Sequence, residues 1–335
     1  MKILITGGAG FLGARLARTL LQKGELCGQA VTSLTIADLF PAPADLMADP
    51  RVQSHAGPML EQQALFASGF DGVFHLASAV SGECEQDFEL GLRSNVDSTR
   101  ALLEGLRQAG NTPRMVFASS VAVYGPDDAN PLPDLVSDST LPSPQTSYGT
   151  HKLMLEYLLA DYTRKGFIDG RAARLMTVTV RPGKPNGAAS SFFSGIIREP
   201  LAGTESICPV DASVSHPVSS PGNTVHGLIT VFEASREAMG GRLALNMPGL
   251  NVKVSDMLQA LEEVGGKAVR QRVRFERNEQ VATIVSNWSR GATAERAHAL
   301  GLRADASFNA IIEQYIEDCK TRPGYPADAL KGLYP

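Results

Sequence analysis

At 335 residues the chain is long enough for a full α/β domain and a smaller second one. With 43% hydrophobic and 20% charged residues and a formal charge of −4, it gives no reason to expect nucleic acid or an anionic membrane surface as a partner. No uninterrupted apolar run is long enough to span a bilayer.

Cys27, Cys84, Cys208 and Cys319 are scattered without a C-x-x-C pair, which suits free thiols in a reduced, cytoplasmic setting. The histidines show no metal-ligand spacing, so no metal is expected. Met1 runs directly into the first apolar stretch, which leaves no room for a secretory leader.

Ile3, Leu4 and Ile5 form a short run suited to a strand buried on both faces of a parallel sheet. A helix follows, with Phe11, Leu12, Leu16, Leu20 and Leu21 on one face and Arg15 and Arg18 off it. Between them, Gly7, Gly10 and Gly13 stand in the spacing G-x-x-G-x-x-G. Gly7 permits a tight turn, Gly10 lets a pyrophosphate approach the backbone, and Gly13 lets the helix pack close on the strand. The helix opens at Phe11 and Leu12, and its free N–H groups and positive dipole end face the phosphates. This stretch predicts a bound dinucleotide.

A second run, Leu34 to Ala37, closes on Asp38. A carboxylate there accepts hydrogen bonds from both ribose hydroxyls and repels a 2′-phosphate, which favours NAD over NADP. Asp38 lies further beyond Gly13 than usual, so residues 25–33 read as a slightly long connection. Residues 52–55 read as a third strand, and residues 72–78 as a buried strand whose small terminal residues leave room for a cofactor, with Leu76 and Ala77 at its edge. A helix is predicted over residues 88–109. Asn95 in its middle is a poor helix former, and either its amide has a structural or active-site partner or it is an exposed polar residue.

Arg114–Ser120 reads as a buried strand ending in the hydroxyls of Ser119 and Ser120. Residues 126–145 form a proline-rich loop, either a lid or a surface connection. Tyr148 opens a helix with Leu153, Leu155, Leu158 and Leu159 on its apolar face, and residues 174–180 read as a strand leading to Arg181 and Pro182. Strands alternating with helices predict an α/β fold, a Rossmann-type doubly wound parallel sheet over residues 1–182. Residues 183–335 would form a smaller mixed α/β substrate domain, with some segments returning to the first. Within it, 187–194 and 200–221 suit walls of a cleft. Helices are expected over 224–239, 256–264 (capped by Ser255), 293–300 and 307–318, with a strand at 243–247.

Tyr148 and Lys152 stand four apart, so both side chains leave one helical face. A free phenol titrates near ~10 and is a poor base at neutral pH. An ammonium held beside it favours the phenolate and draws the value down. Ser120, at the end of a strand on the edge where such sheets place ligands, can hold a substrate oxygen while Tyr148 exchanges its proton. Lys152 would also bond the nicotinamide ribose.

Taken together, Gly7/Gly10/Gly13, Asp38, His75-Leu76-Ala77, Asn95-Val96, Ser119 to Gly125, Tyr148-x-x-x-Lys152 and Arg181-Pro182 resemble the extended short-chain dehydrogenase/reductases, the NAD-dependent sugar-nucleotide epimerases and dehydratases. The resemblance implies Ser120 as the catalytic hydroxyl, Tyr148 as base and Lys152 as helper. It implies NAD as cofactor, lined also by Leu76, Ala77, Asn95, Ser119 and the Pro182 region. It implies a homodimer paired through the helices after Asn95 and Tyr148.

Three departures bear on function. Pro58 stands where the family often has an aspartate at the adenine, so adenine would be held otherwise, by the Met59 backbone for example. The segment after Arg181-Pro182 is short, running almost directly into a helix with Arg198, and His216 to Pro221 replaces an epimerase-like segment. A compact, hydroxyl-rich pocket with one or two cations suits a small polyhydroxy acid better than a nucleotide sugar. Val80 to Glu83, Ser147 to Thr150, Arg181 to Asn186 and Ile197 to Leu201 are similar to a narrower branch, the D-erythronate dehydrogenases. That resemblance implies oxidation of the C2 hydroxyl of a four-carbon sugar acid to the 2-oxo acid, with Ser78, Ser81, Ser120, Lys184 and Arg198 as candidates for holding the substrate. A sugar-nucleotide epimerase is the alternative, since it uses the same three catalytic residues. A dinucleotide binder without turnover is a third reading, against which the intact trio argues.

Overall fold

Each of the apolar runs in the first half becomes a strand of one sheet. The computed structural model describes residues 1–183 and 188–333. In chain order it forms β1 (Lys2–Thr6), α1 (Phe11–Lys23), β2 (Ser33–Asp38), β3 (Val52–Ala56), β4 (Gly72–His75), α2 (Ser98–Ala109), β5 (Arg114–Ser120), α3 (Ser147–Arg164) and β6 (Asp169–Leu175). The second half adds β7 (Thr177–Val178), α4 (Ser191–Leu201), β8 (Ser215–Ser219), α5 (Pro221–Glu233), β9 (Leu245–Asn246), β10 (Leu250–Lys253), α6 (Val254–Gly265) and α7 (Phe308–Thr321).

Among the described residues the main sheet has seven strands, in the order β9-β6-β5-β4-β1-β2-β3. Every pairing in it is parallel. Such a sheet is stable only when both faces are covered. Ile3 and Ile5 meet Leu16 and Leu20 of α1 and Leu228 and Phe232 of α5 on one side. Leu4, pointing the other way along the pleat, meets Leu102 and Leu106 of α2 and Leu155 and Leu159 of α3. Strand order reverses between β1 and β4, which opens a crevice at their C-terminal ends where sheets of this topology bind ligands.

The second half is not separate from this layer. β9 extends the sheet beside β6, and α5 covers its face. The remainder builds a smaller unit in which β8 pairs parallel with β7 and antiparallel with β10. Phe193, Ile196 and Ile197 of α4 pack there against Met257 and Leu261 of α6 and Ile311 and Ile312 of α7.

Several elements differ from the sequence-based expectation. The long connection 25–33 is a hairpin, Glu25–Leu26 against Gln29–Ala30, turned through Cys27 and Gly28 at φ 51° and 71°. Arg15 is not on an exposed face but buried, ion-paired at 2.5 Å with Asp318 of α7, a partner with no local signal. Phe11, expected on the apolar face, is 38% exposed beside the turn. The strand expected over 174–180 is β6, which starts at Asp169 and stops at Leu175, while β7 belongs to the smaller sheet. Two charges hid its start. Arg171 is buried, with its guanidinium on Asp169 and on the carbonyl of Ala234.

The predicted helix 88–109 is three pieces: Phe88–Gly91, a π-helical segment Leu92–Asp97, and α2. α5 begins at Pro221, earlier than expected, because the Ser220 hydroxyl accepts from the Asn223 N–H at 3.1 Å. Ser255 lies inside α6 rather than capping it, and its hydroxyl bonds the Asp256 carboxylate. Loop 126–145 is a surface connection tied down by Leu135–Val136, which pairs with Gly291–Ala292.

Candidate active site

The crevice edge gathers the turn after β1, Asp38 at the end of β2, Leu76 and Ala77 after β4, and Ser120 at the end of β5. Gly7 has φ +69°, and a β-carbon there would lie 2.7 Å from the Ala77 nitrogen. A β-carbon on Gly13 would lie 2.2 Å from the Gly7 carbonyl oxygen. Gly10 is different: it is exposed, and its β-carbon would meet only that same oxygen, at 3.3 Å. Space is therefore open over the turn, and α1 carries no side-chain cap on its first N–H groups. Asp38 holds the turn from the side, its carboxylate accepting from the Ala9 N–H at 3.0 Å and the Phe40 N–H at 3.2 Å. A side-chain-free cradle, uncapped amides and a flanking carboxylate fit a dinucleotide. Leu12 is half-buried behind Phe11.

Asn95 fulfils the first of its two readings. The π-helical segment turns its amide inward, where Oδ1 accepts from the Ala79 N–H at 2.7 Å and the Ser78 hydroxyl at 3.0 Å. Its Nδ2 donates to the Ala79 carbonyl at 3.3 Å. Asn95 thereby anchors the segment after Ala77 that walls the crevice. Ser119, in contrast, is buried and gives its hydroxyl to Glu156. Pro182 is half-buried beyond β7.

Ser120, Tyr148 and Lys152 are brought together. The Ser120 hydroxyl accepts from the Ala122 N–H at 3.1 Å and lies near the Tyr148 phenol, which it stabilises in the ionised form. Tyr148 sits in the first turn of α3, where Thr146 caps the helix by accepting from the Gly149 N–H at 3.0 Å. Lys152 is buried, its ammonium donating to the Ala118 carbonyl at 2.9 Å and lying 5.4 Å from the centre of the Tyr148 ring. Burial pushes the Lys152 ammonium down to about 8 and the Tyr148 phenol up to about 12.

The expected pull of Lys152 on Tyr148 is not what opposes that rise. Ser120 and the charge of Arg181 do so, and the ammonium is turned toward Ala118. The buried Cys84 thiol lies near both Tyr148 and Lys152, and burial holds it protonated.

On the substrate side, the Ser78 hydroxyl is engaged with Asn95 and the Ala79 carbonyl, both at 3.0 Å. Ser81 opens the helix Ser81–Gln86, half-buried, and its hydroxyl has no partner among the described residues. Arg198 is buried and committed: it pairs with Glu199 at 2.5 Å and donates to the Arg181 carbonyl at 2.8 Å. Lys184 lies outside the described residues.

Among the described residues, the cation that reaches the trio from outside it is Arg181, which the sequence motif marked only as part of the family pattern. Its guanidinium is held by the Val178 carbonyl at 2.9 Å and the Ser190 hydroxyl at 3.2 Å, and Tyr148 feels its charge. A cation at the end of a strand, directly before a proline, was the available signal. His216 is structural, bonded to Thr177 at 2.9 Å and stacked on Phe193. Among the described residues no group of His, Cys, Asp and Glu is placed to hold a metal, and no helix is long and apolar enough to cross a membrane.

The chain is 49% identical to a D-erythronate dehydrogenase of Cupriavidus necator, covering 95% of this chain and 98% of that one. It is 39% identical to a D-erythronate dehydrogenase of Haemophilus influenzae, covering 95% and 99%. A solved structure described as the nucleoside-diphosphate-sugar epimerase from Agrobacterium tumefaciens matches with a TM-score of 0.89 at 42% identity, over 95% of this chain and 94% of that one. The sequence pattern of the NAD dependent epimerase/dehydratase family matches residues 3–241. With the glycine turn, Asp38 and the Ser120, Tyr148 and Lys152 cluster in one crevice, these matches show that the chain belongs to the NAD dependent epimerase/dehydratase family.

Proposed function

We propose that the protein is a dehydrogenase that uses NAD to oxidise the C2 hydroxyl of a small, D-erythronate-like sugar acid to the 2-oxo acid. The observation that carries this reading is the cluster of Ser120, Tyr148 and Lys152 with the cation of Arg181 at its edge, in a chain close to two D-erythronate dehydrogenases over nearly its whole length. Gly7, Gly10, Gly13 and Asp38 would hold the dinucleotide, and NAD when bound supplies the acceptor for the hydride that leaves C2. The Tyr148 phenolate oxygen takes the hydroxyl proton, Ser120 orients that oxygen, and Lys152 holds the ribose side of the cofactor. Arg181 receives the substrate carboxylate, with Arg198 behind it as support for the Arg181 backbone. Ser81 meets a remaining hydroxyl.

Residues 1–182 carry the cofactor, and the second half mainly shapes the substrate pocket. The protein acts as a homodimer in the cytoplasm: free thiols suit that compartment, and Phe88, Met154 and Tyr157 expose apolar surface on the helices expected to pair.

The Agrobacterium structure's description favours one second reading, a nucleoside-diphosphate-sugar epimerase that retains its NAD. Purified protein supplied with NAD and a panel of four- to six-carbon sugar acids, with UDP-glucose and UDP-galactose alongside, separates the two. NADH formation on one sugar acid is expected. Silence on all acids with interconversion of a UDP-sugar overturns the dehydrogenase.

A further inference from the structure

Three successive residues at the end of β5 each face a different turn of α3. The Ala118 carbonyl accepts from Lys152 at 2.9 Å, the Ser119 hydroxyl donates to Glu156 at 2.5 Å, and Ser120 faces Tyr148. Tyr148, Lys152 and Glu156 are spaced four apart, so one helical face meets one strand end.

Glu156 is 4% exposed, where an unpaired carboxylate is costly. Arg174 of β6 supplies the partner, donating from Nε to Oε1 at 2.9 Å and from Nη2 to Oε2 at 2.7 Å. The remaining arm of Arg174 donates to the Tyr124 hydroxyl at 2.6 Å, which in turn reaches Asn246 of β9 at 2.8 Å. A buried ion pair of this kind is a poor source of net stability, because desolvation offsets its attraction. Its effect lies in what it positions.

We propose that Glu156 is a positioning residue for the Ser120, Tyr148 and Lys152 set. Clamped by Arg174, its carboxylate holds the end of β5 against α3 so that Ser120 stays in reach of Tyr148, and it supplies negative charge facing Lys152. The groups around Lys152 are Tyr148, His151 and Glu156 on its own helix, Cys84 on the helix Ser81–Gln86, and His75 at the end of β4. Burial lowers the ammonium's pKa, and negative charge on Glu156, or on Cys84 if it ionised, opposes that. Cys84 is held protonated and His75 neutral, so the standing negative charge of this set comes from Glu156.

Glu156→Gln keeps the shape, removes the charge and leaves Arg174 unpaired, and both electrostatic changes disfavour the Lys152 cation. Nitrogen NMR of lysine-labelled, cofactor-free protein reads the Lys152 titration directly. Its midpoint is expected to fall by about one pH unit, with turnover falling about tenfold. Ser119→Ala keeps the charge and removes only the bridge, so turnover is expected to fall while the Lys152 titration stays in place.

A folded Glu156→Gln protein with an unmoved Lys152 titration and full turnover overturns the proposal. If that variant does not fold, full turnover in Ser119→Ala overturns it. The kinetic half rests on the dehydrogenase reading. If the parent protein turns over no sugar acid, that reading falls, and the Lys152 titration alone decides on Glu156.

Discussion

Gly13 and Gly7 stand so close across the first turn that a β-carbon on Gly13 would lie 2.2 Å from the Gly7 carbonyl oxygen. Real β-carbons do not approach backbone that closely, so Gly13→Ala must push α1 away from β1. A cost of about 1–3 kcal/mol in stability is expected, as for other overpacked sites, together with loss of NAD binding. Gly10→Ala should behave differently. Its β-carbon meets that oxygen only at 3.3 Å and projects into the open space, so stability holds while NAD affinity falls by about tenfold or more. Thermal melts and NADH fluorescence titrations check both. Equal affinity for NAD in Gly10→Ala and the parent would remove the turn from the cofactor site.

Arg181 sets the second expectation. If its guanidinium receives the substrate carboxylate, Arg181→Gln raises KM for the sugar acid by about tenfold or more, as loss of a charge-assisted pair does. The same substitution removes a charge that holds the Tyr148 phenol down, so the phenol should titrate still higher. Steady-state kinetics and an ultraviolet titration of the phenol read the two effects. An unchanged KM takes Arg181 out of substrate recognition.

These positions show what a sequence of this kind discloses. The parallel sheet was legible because β1, β2, β4 and β5 are largely apolar runs and the first turn is rich in glycine. Asn95 stood out as a misfit in a helix, and its misfit is its function: four contacts to Ser78, Ala79 and Cys84 from inside a π-helical segment. What was not legible were the buried charges. Arg15 finds Asp318 far along the chain, Arg171 finds Asp169, and Arg174 finds Glu156, so each charged residue reads locally as surface. Arg198 misled for the same reason, since nothing in its neighbourhood reveals that Glu199 and the Arg181 carbonyl already claim it. The spacing of Tyr148 and Lys152 correctly puts both on one face, but spacing does not reveal that the ammonium turns to Ala118.

Acid should unfold the protein through two histidines. His75, between Thr6 and Thr99, is held down to about 3 by burial, and His216 to about 4. Above the ordinary histidine value of 6.5 both states are neutral and the contribution to stability is complete. As pH falls below it, the unfolded chain takes up protons that the folded one refuses, so stability declines toward the folded-state values. Urea midpoints measured between pH 7 and pH 4 should fall steadily, and His216→Gln should flatten that slope. A slope identical to the parent's would mean His216 is not held neutral.

In the proposed reaction Tyr148 takes the proton from the sugar-acid hydroxyl. The most direct measurement compares NADH formation by the parent protein and by Tyr148→Phe on the sugar acid the parent oxidises, with NAD affinity measured on both. Loss of about a hundredfold or more in turnover, with NAD affinity and melting temperature retained, is the predicted result. Turnover by Tyr148→Phe at the parent's rate would contradict it, and another group would have to be the base.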